Sequence, residues 1–236
     1  MKHAILFSGG LDSTCAAILN PDAVLIRVST GARYDAIESV YCGRIAEALD
    51  RKLISVDGVL DLAGLEQADA LIPNRNALLL LTASAACPDV GTFNLVSVAG
   101  DGTHARDKDV TFAHKMSELM THLSDVDTVV ALPYRRAHKH ELLLKAYETD
   151  LAKAEKVLPS VYSCYQGQPV HCGRCKACVR LYGAFAAAGL LDLAPRFDEV
   201  PHHVLSSTEV AAVYEGRGAE AAAALGAYLS LVMRGI

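Results

Sequence analysis

A glycine-containing heptad near the start of the chain has the residue types of an anion-binding loop. It lies between a short apolar run and a helical pattern and reads Ser8, Gly9, Gly10, Leu11, Asp12, Ser13 and Thr14. Such a turn directs backbone N–H groups and the positive end of a helix toward a phosphate, and paired glycines let the backbone approach it closely. Ser13 and Thr14 would add hydroxyl donors, whereas Asp12 would repel the anion unless Mg²⁺ or a helix cap compensates. No Gly-Lys-Ser/Thr ending follows, so this is not a Walker A loop.

Four cysteines late in the chain have the spacing of metal ligands. They are Cys164, Cys172, Cys175 and Cys178. Four thiolates at this spacing, with Gly173 between them for a tight turn, fit a closed tetrahedral zinc site. An iron–sulfur cluster would need the same ligands. Alternatively, the four cysteines are buried as small apolar side chains and bind no metal. His171 is a spare ligand candidate, although a place beside the site or on the surface fits it better. We predict a structural Zn²⁺ that orders a loop-rich segment.

Three weaker motifs could also do chemistry. Gly100-x-Gly102-x-x-Ala105 imitates a dinucleotide fingerprint but does not follow the first strand, so we expect a substrate-facing loop at the carboxyl edge of the sheet. The pairs His138/His140 and His202/His203 could mimic metal sites, but no nearby acidic or cysteine ligand completes either one. Asp107-x-Asp109 could bind Mg²⁺ or belong to a charged loop.

The elements that must position these residues follow from the hydrophobic pattern. In the first 160 residues short β-branched runs alternate with longer helical patterns, which predicts a parallel sheet covered by helices. We expect strands at 3–7, 23–28, 52–56, 94–99 and 128–132. We expect helices at 35–49, 76–86, 111–123, 139–156 and 179–189. Asp35 and Glu38 have the spacing of a capping box at the start of the first of these helices.

Three regions are expected along the chain. The sequence predicts a doubly wound α/β nucleotide-binding domain at 1–158. A zinc-binding segment with a helix follows at 159–194, and a helical C-terminal extension at 195–236. Pro195 and Pro201 indicate a linker into the extension. Ser206 and Glu209 have the spacing of a capping box for the first helix of the extension.

The composition narrows the classes of function. The 236 residues are 52% hydrophobic and 21% charged, which predicts a large core rather than a disordered chain. A net charge of −5 supplies no general attraction for a nucleic acid, so we do not expect that class of partner. The longest apolar stretches are shorter than the ~20 residues of a membrane span. The first predicted strand begins too early to leave space for a signal peptide, so we expect a cytoplasmic protein without a membrane partner.

The heptad and the cysteine segment together resemble the 7-cyano-7-deazaguanine synthase (QueC) family. The heptad is similar to the SGGxDS signature of the PP-loop ATP pyrophosphatases, which split ATP between the α- and β-phosphates. Shorter matches follow in order: Gly31-Ala32-Arg33 with Glu38, Ile72-Pro73-Asn74-Arg75-Asn76, Pro133 with Lys139 and Glu141, and Ser163-Cys164-Tyr165 with the stretch His171–Cys178. The resemblance covers most of residues 3–190. It implies a PP-loop fold of the adenine nucleotide α-hydrolase type.

The resemblance implies a two-stage reaction that uses ATP, Mg²⁺ and a 7-deazaguanine substrate. ATP would adenylate 7-carboxy-7-deazaguanine, ammonia would displace AMP to give the amide, and a second ATP would drive loss of water to the nitrile, preQ0. Pyrophosphate would lie on the heptad. Lys139 and Arg75 would be the cations for the α-phosphate or the carboxylate, and Asp12 completes the predicted catalytic set.

Two departures from the family keep alternatives open. Residues 101–109 differ from the family's D-x-S-G-Y-P-D-C-R-like stretch, and residues 195–236 continue beyond the family's usual end. One alternative is a QueC-like ligase of antiphage CBASS systems, which joins a deazaguanine carboxyl to a protein amine. A tRNA-thiolating PP-loop enzyme and a non-catalytic, zinc-stabilised ATP-binding module are the others. The extension could bind a protein partner or acceptor, or form a homodimer.

Overall fold

A five-stranded parallel sheet forms the centre of the computed structural model, which describes residues 2–101 and 105–234. The strands are β1 (Lys2–Leu6), β2 (Val24–Val28), β3 (Leu53–Val56), β4 (Val90–Asn94) and β5 (Val129–Ala131). Their order is β3-β2-β1-β4-β5, and every pairing is parallel. The strand order reverses beside β1, so the carboxyl end of β1 lies at the switch point where α/β sheets bind ligands. The predicted doubly wound α/β class is confirmed.

Helices cover both faces of the sheet. They are α1 (Leu11–Leu19), α2 (Asp35–Ala48), α3 (Arg75–Ala86), α4 (Val110–Leu123), α5 (Lys139–Thr149), α6 (Leu151–Val157), α7 (Lys176–Ala188), α8 (Pro201–Val204), α9 (Ser207–Val213) and α10 (Ala219–Arg234). Successive residues of a strand face opposite sides. Ile5 accordingly joins the core formed with α1, α2, α5, α6 and α7, whereas Ala4 joins the core formed with α3 and α4. None of these described helices combines the length and the hydropathy that a membrane crossing requires.

Two of the predicted elements are displaced or interrupted. The fourth strand occupies Val90–Asn94 rather than 94–99, because the last sheet contact is from Leu95 N to Ala131 O (3.0 Å), and Val98 is buried in the loop beyond it. The predicted helix 139–156 is two helices. Its break is at Asp150, whose side chain accepts a hydrogen bond from Lys153 N (3.0 Å) and thereby caps α6.

The predicted capping box at Asp35 and Glu38 is wrong. Helix α2 has Tyr34 at its N-cap position without a side-chain cap. The Asp35 carboxylate instead accepts hydrogen bonds from Ser29 Oγ (2.6 Å) and Thr30 N (3.1 Å), which fixes the loop after β2. Glu38 is thereby left available to the cavity described below.

The C-terminal helices pack on α7 rather than follow a free linker. Pro201 is the first residue of α8, and the Phe197 ring lies 5.2 Å from the tilted ring of His171 in the cysteine segment. The predicted capping box of α9 is present, since Glu209 N donates to Ser206 Oγ (3.2 Å) and Ser206 N donates to Glu209 Oε2 (2.8 Å). The apolar contact between these helices and α7 buries Val179, Val210, Tyr214, Ala224 and Tyr228.

Candidate active site

The predicted phosphate loop lies at the carboxyl end of β1 and opens at the N-terminus of α1. Gly9 has φ +66°, which a residue with a side chain rarely adopts. A Cβ atom at Gly9 would also lie 3.1 Å from Cys42 Sγ, so the backbone is packed directly against α2. Gly10 is the N-cap residue of α1 and has no side-chain cap. The helix N-terminus therefore retains backbone donors for an anion.

Hydrogen bonds hold this loop in its conformation. Ser13 Oγ donates to Gly10 O (3.1 Å) and lies 3.4 Å from Ser8 N, which donates to it. Tyr162 N donates to Gly9 O (2.9 Å) and so joins the loop to the start of the cysteine segment. The loop is thus preorganised by both its own hydroxyls and a distant backbone amide.

A cavity of about 660 Å³ extends from the loop along the carboxyl edge of the sheet. It brings together most of the predicted site: Ser8, Gly10, Leu11, Asp12, Ser13, Arg75 and Lys139. Gly9 lies behind this lining against α2. Thr14 is fully buried, and its Oγ1 has no hydrogen-bond partner among the residues that the structure describes.

Asp12 and Lys139 form an ion pair inside the cavity. Lys139 is the first residue of α5, and its Nζ contacts Asp12 Oδ2. The two side chains are 19% and 11% exposed, so water screens the pair only partly. The second carboxylate oxygen, Asp12 Oδ1, is buried and accepts no hydrogen bond from residues 2–101 or 105–234. That unsatisfied oxygen fits a Mg²⁺ ligand, since the ion prefers carboxylate oxygens and water.

A second group of side chains surrounds Arg75, the first residue of α3. Arg75 Nη1 donates to Tyr34 Oη (2.7 Å), and the Tyr34 ring lies 5.8 Å from that of Tyr165. Burial raises the pKa of Glu38 to about 7, although Arg27 and Arg75 lower it in part. This end of the cavity therefore combines a cation, aromatic rings and a carboxyl that titrates near neutral pH.

A third charged group was not predicted from the sequence. Asp101 Oδ1 lies 3.3 Å from Arg180 Nη2 and 3.2 Å from Arg217 Nη1, and Asp101 Oδ2 lies 3.6 Å from Lys108 Nζ. These cations, with Lys139, hold the pKa of Asp101 well below its ordinary value despite burial. Arg180 also pairs with the buried Glu220 through Nη2 (3.0 Å) and Nε (3.1 Å). Asp101, Lys108, Arg180 and Arg217 all line the cavity.

The weaker motifs differ in their surroundings where the structure describes them. Asp109 caps α4 by accepting a hydrogen bond from Phe112 N (2.7 Å), and Asp107 Oδ2 accepts from Asn76 N (3.2 Å). Ala105 of the Gly100-x-Gly102-x-x-Ala105 motif lines the cavity, whereas Gly102 lies outside the described residues. The His138 and His140 rings stack 6.0 Å apart.

The four predicted metal ligands converge. The Sγ atoms of Cys164, Cys172, Cys175 and Cys178 all lie within 4.8 Å of one another. Four sulfur atoms at Zn–S distances of about 2.3 Å around one ion would have this separation, so the donor set fits Zn²⁺. Backbone N–H groups of Gln166 and Cys172 lie 3.5 Å from Cys164 Sγ and would stabilise its thiolate.

His171 lies beside this cluster and not in it. Its ring is buried, Nε2 accepts a hydrogen bond from Ser163 N (3.2 Å), and Tyr162 and Phe197 contact it on either side. Burial lowers the pKa of His171. The residue therefore supports the backbone next to the cysteines as a neutral imidazole.

Comparison with known proteins places these features in one family. The family model described as "Queuosine biosynthesis protein QueC" matches residues 43–189, which include the four cysteines. The 7-cyano-7-deazaguanine synthase of Methanoregula boonei is 26% identical over 217 residues, covering 81% of this chain and 97% of that protein. Proteins of the same name from Brucella canis and Brucella suis biovar 1 are each 32% identical over 126 residues, covering 52% of this chain and 52% of theirs.

Proposed function

This chain belongs to the family of the queuosine biosynthesis protein QueC, and from that premise we propose that it converts 7-carboxy-7-deazaguanine to 7-cyano-7-deazaguanine with ATP. One observation carries the proposal. The phosphate loop, the Asp12–Lys139 pair and Arg75 face one cavity of about 660 Å³, within the range of small-molecule sites. The names of the relatives support the same product.

The first stage makes an acyl adenylate. The outer two phosphates of ATP lie on the N-terminus of α1, and an oxygen of the substrate carboxylate attacks the α-phosphorus while the bond to pyrophosphate breaks. Ammonia then attacks the carboxyl carbon, and AMP leaves with the C–O bond electrons to give the amide. The site must therefore neutralise charge on the α-phosphate and on the departing pyrophosphate.

The second stage removes water from the amide. The amide oxygen attacks the α-phosphorus of a second ATP, and pyrophosphate leaves. Loss of the nitrogen protons and departure of AMP with the amide oxygen then leave the C≡N bond. Each nitrile therefore requires two ATP and releases two AMP and two pyrophosphates.

The side chains in the cavity meet these requirements. Lys139 Nζ stabilises the charge that develops at the α-phosphate, and Arg75 binds the carboxylate or the same phosphate. Asp12 Oδ1 would hold Mg²⁺, which when bound neutralises the pyrophosphate leaving group. Four thiolates would hold Zn²⁺ in a closed structural site, which fixes the segment that supplies Ser163 and Tyr165 to the cavity wall.

A product assay tests this proposal. The full-length protein is incubated with ATP, 7-carboxy-7-deazaguanine and ammonium, and the products are identified by mass spectrometry with AMP and pyrophosphate counted. We expect the nitrile with two AMP per molecule. Release of ADP in place of AMP would exclude the mechanism. A deazaguanine amide on a protein would support the antiphage-type ligase, and ATP binding without turnover would support the non-catalytic module.

A further inference from the structure

The C-terminal segment reaches the candidate active site. Arg217 lies in the turn between α9 and α10, directly after Gly216, whose φ is +74°. Four residues of this segment line the same cavity as the phosphate loop: Ala212, Val213, Glu215 and Arg217. The extension therefore supplies part of the cavity wall.

Packing on α7 fixes the position of this segment. Tyr214 Oη donates to Val179 O (3.3 Å) on α7 and is 2% exposed. Ala224 and Tyr228 on α10 close the same apolar contact. Since α7 also carries Arg180 and Cys178, the Arg217 turn is held against the helix that borders the cysteine cluster.

Arg217 shares its two carboxylate partners with two other cations. Arg217, Arg180 and Lys108 face Asp101 and Glu220, so three cations meet two carboxylates. The Arg217 side chain is only 10% exposed, and both of its ion pairs with the described residues use Nη1. Its guanidinium therefore has further donors for a ligand. Charged donors of this kind in a partly desolvated cavity favour an anion.

This positive group lies within electrostatic reach of the phosphate loop. Lys139 contributes to the lowered pKa of Asp101 and also forms the ion pair with Asp12 on that loop. Arg217, Arg180 and Lys108 therefore border the same volume as the Asp12–Lys139 pair.

We propose that Arg217, with Lys108 and Arg180, binds an anionic group of the reactants, either the substrate carboxylate or the α-phosphate, and that the C-terminal segment is thereby part of the active site. The proposal rests on the proposed function for the identity of these two anions. Glu215 lies exposed at the cavity wall near Arg217, and its negative charge repels the anion. Removing that charge should therefore strengthen anion binding, whereas removing the charge of Arg217 should weaken it.

Binding measurements on the full-length protein test this site. Isothermal titration uses three probes: 7-carboxy-7-deazaguanine, its uncharged 7-carboxamide, and AMP. We expect Arg217→Gln to weaken the binding of the acid, of AMP or of both by about 10-fold, as the loss of a charged hydrogen bond implies. Its affinity for the carboxamide should stay unchanged. Loss of acid binding alone identifies the carboxylate, and loss of AMP binding alone identifies the phosphate.

Matched variants separate this role from a structural one. Arg234→Gln changes an exposed arginine at the end of α10 and should bind all three probes as the wild type does. Arg217→Lys should recover part of the lost affinity, and Glu215→Gln should strengthen binding of the same anion. Equal weakening of the carboxamide by Arg217→Gln would overturn the proposal. So would unchanged binding of all probes, or a wild type that binds none of them.

The product assay distinguishes failure of this proposal from failure of the proposed function. A wild type that binds the anions through Arg217 but forms no nitrile refutes only the reaction. A wild type that forms nitrile, with Arg217→Gln unchanged in KM for both the acid and ATP, refutes only the anion site.

Discussion

Replacing Glu38 by glutamine is expected to change how the stability of the protein depends on pH. Burial raises the pKa of Glu38 to about 7, from an ordinary value of 4.5. The folded state therefore holds this proton more tightly than the unfolded chain does. In the wild type the protonated Glu38 contributes fully to the stability of the folded state below pH 4.5, and this contribution is lost as the pH rises to about 7. This direction is opposite to that of a carboxylate stabilised by a salt bridge.

The size of the effect follows from the two pKa values. A tenfold change in proton affinity is worth about 1.4 kcal/mol, so the difference between 4.5 and about 7 corresponds to at most about 3 kcal/mol. The side chain is partly exposed, which reduces the cost of its charge. Glutamine carries no charge at any of these pH values. Glu38→Gln should therefore gain stability over the wild type as the pH rises.

Urea unfolding of both proteins at about pH 5, 6, 7 and 8 measures this difference. The free energy of unfolding of Glu38→Gln minus that of the wild type should increase by about 1–3 kcal/mol between the lowest and highest pH. Comparing the proteins at each pH cancels the contribution of the cysteine thiols, which both share. Glu47→Gln, an exposed change on the same helix, should give a constant difference. A constant or falling difference for Glu38→Gln would refute the reasoning.

Three further changes test the site. Lys139→Met should lower kcat for nitrile formation by about 10²–10³-fold, because a preorganised cation at the developing charge is lost. Lys145→Met, on the exposed side of the same helix, should retain activity in the same steady-state assay. Cys175→Ser should reduce the metal content, measured by mass spectrometry, below the one zinc per chain expected of the wild type, and Cys87→Ser should keep it; equal zinc in both variants would argue against the site. Gly9→Ala should cost about 1–2 kcal/mol in thermal unfolding and weaken ATP binding, since alanine is strained at φ +66° and its Cβ would press on α2; unchanged ATP affinity would count against the loop as the phosphate site.

Local patterns predicted the parts of the site that are contiguous in the sequence. The phosphate loop at Ser8–Thr14 and the converging cysteines each carry their spacing within a short segment, and the strands are short apolar runs that periodicity reveals. The shift of β4 shows the limit of that method. Leu95 and Val98 are apolar because the loop beneath the cavity buries them, and burial in a loop gives the same pattern as burial in a strand.

The charged group around Asp101 could not be predicted in this way. Asp101 comes from the segment between β4 and α4, whereas Arg180 and Glu220 come from α7 and α10, and the packing of α10 on α7 brings them together. No spacing rule links residues so far apart in the chain. In the sequence, only the place of Arg180, two positions after the last cysteine, indicated that it lies near the site. Its carboxylate partners are known only from the tertiary contacts.

The hydrogen bond from the Tyr162 amide to the Gly9 carbonyl makes the phosphate loop depend on a residue that is synthesised much later. The ribosome adds Tyr162 long after the loop itself has been made. Until that amide leaves the exit tunnel, the loop lacks this contact at Gly9. We therefore expect a nascent chain that stops before Tyr162 to lack the ordered loop even when β1, β2 and β4 have already paired.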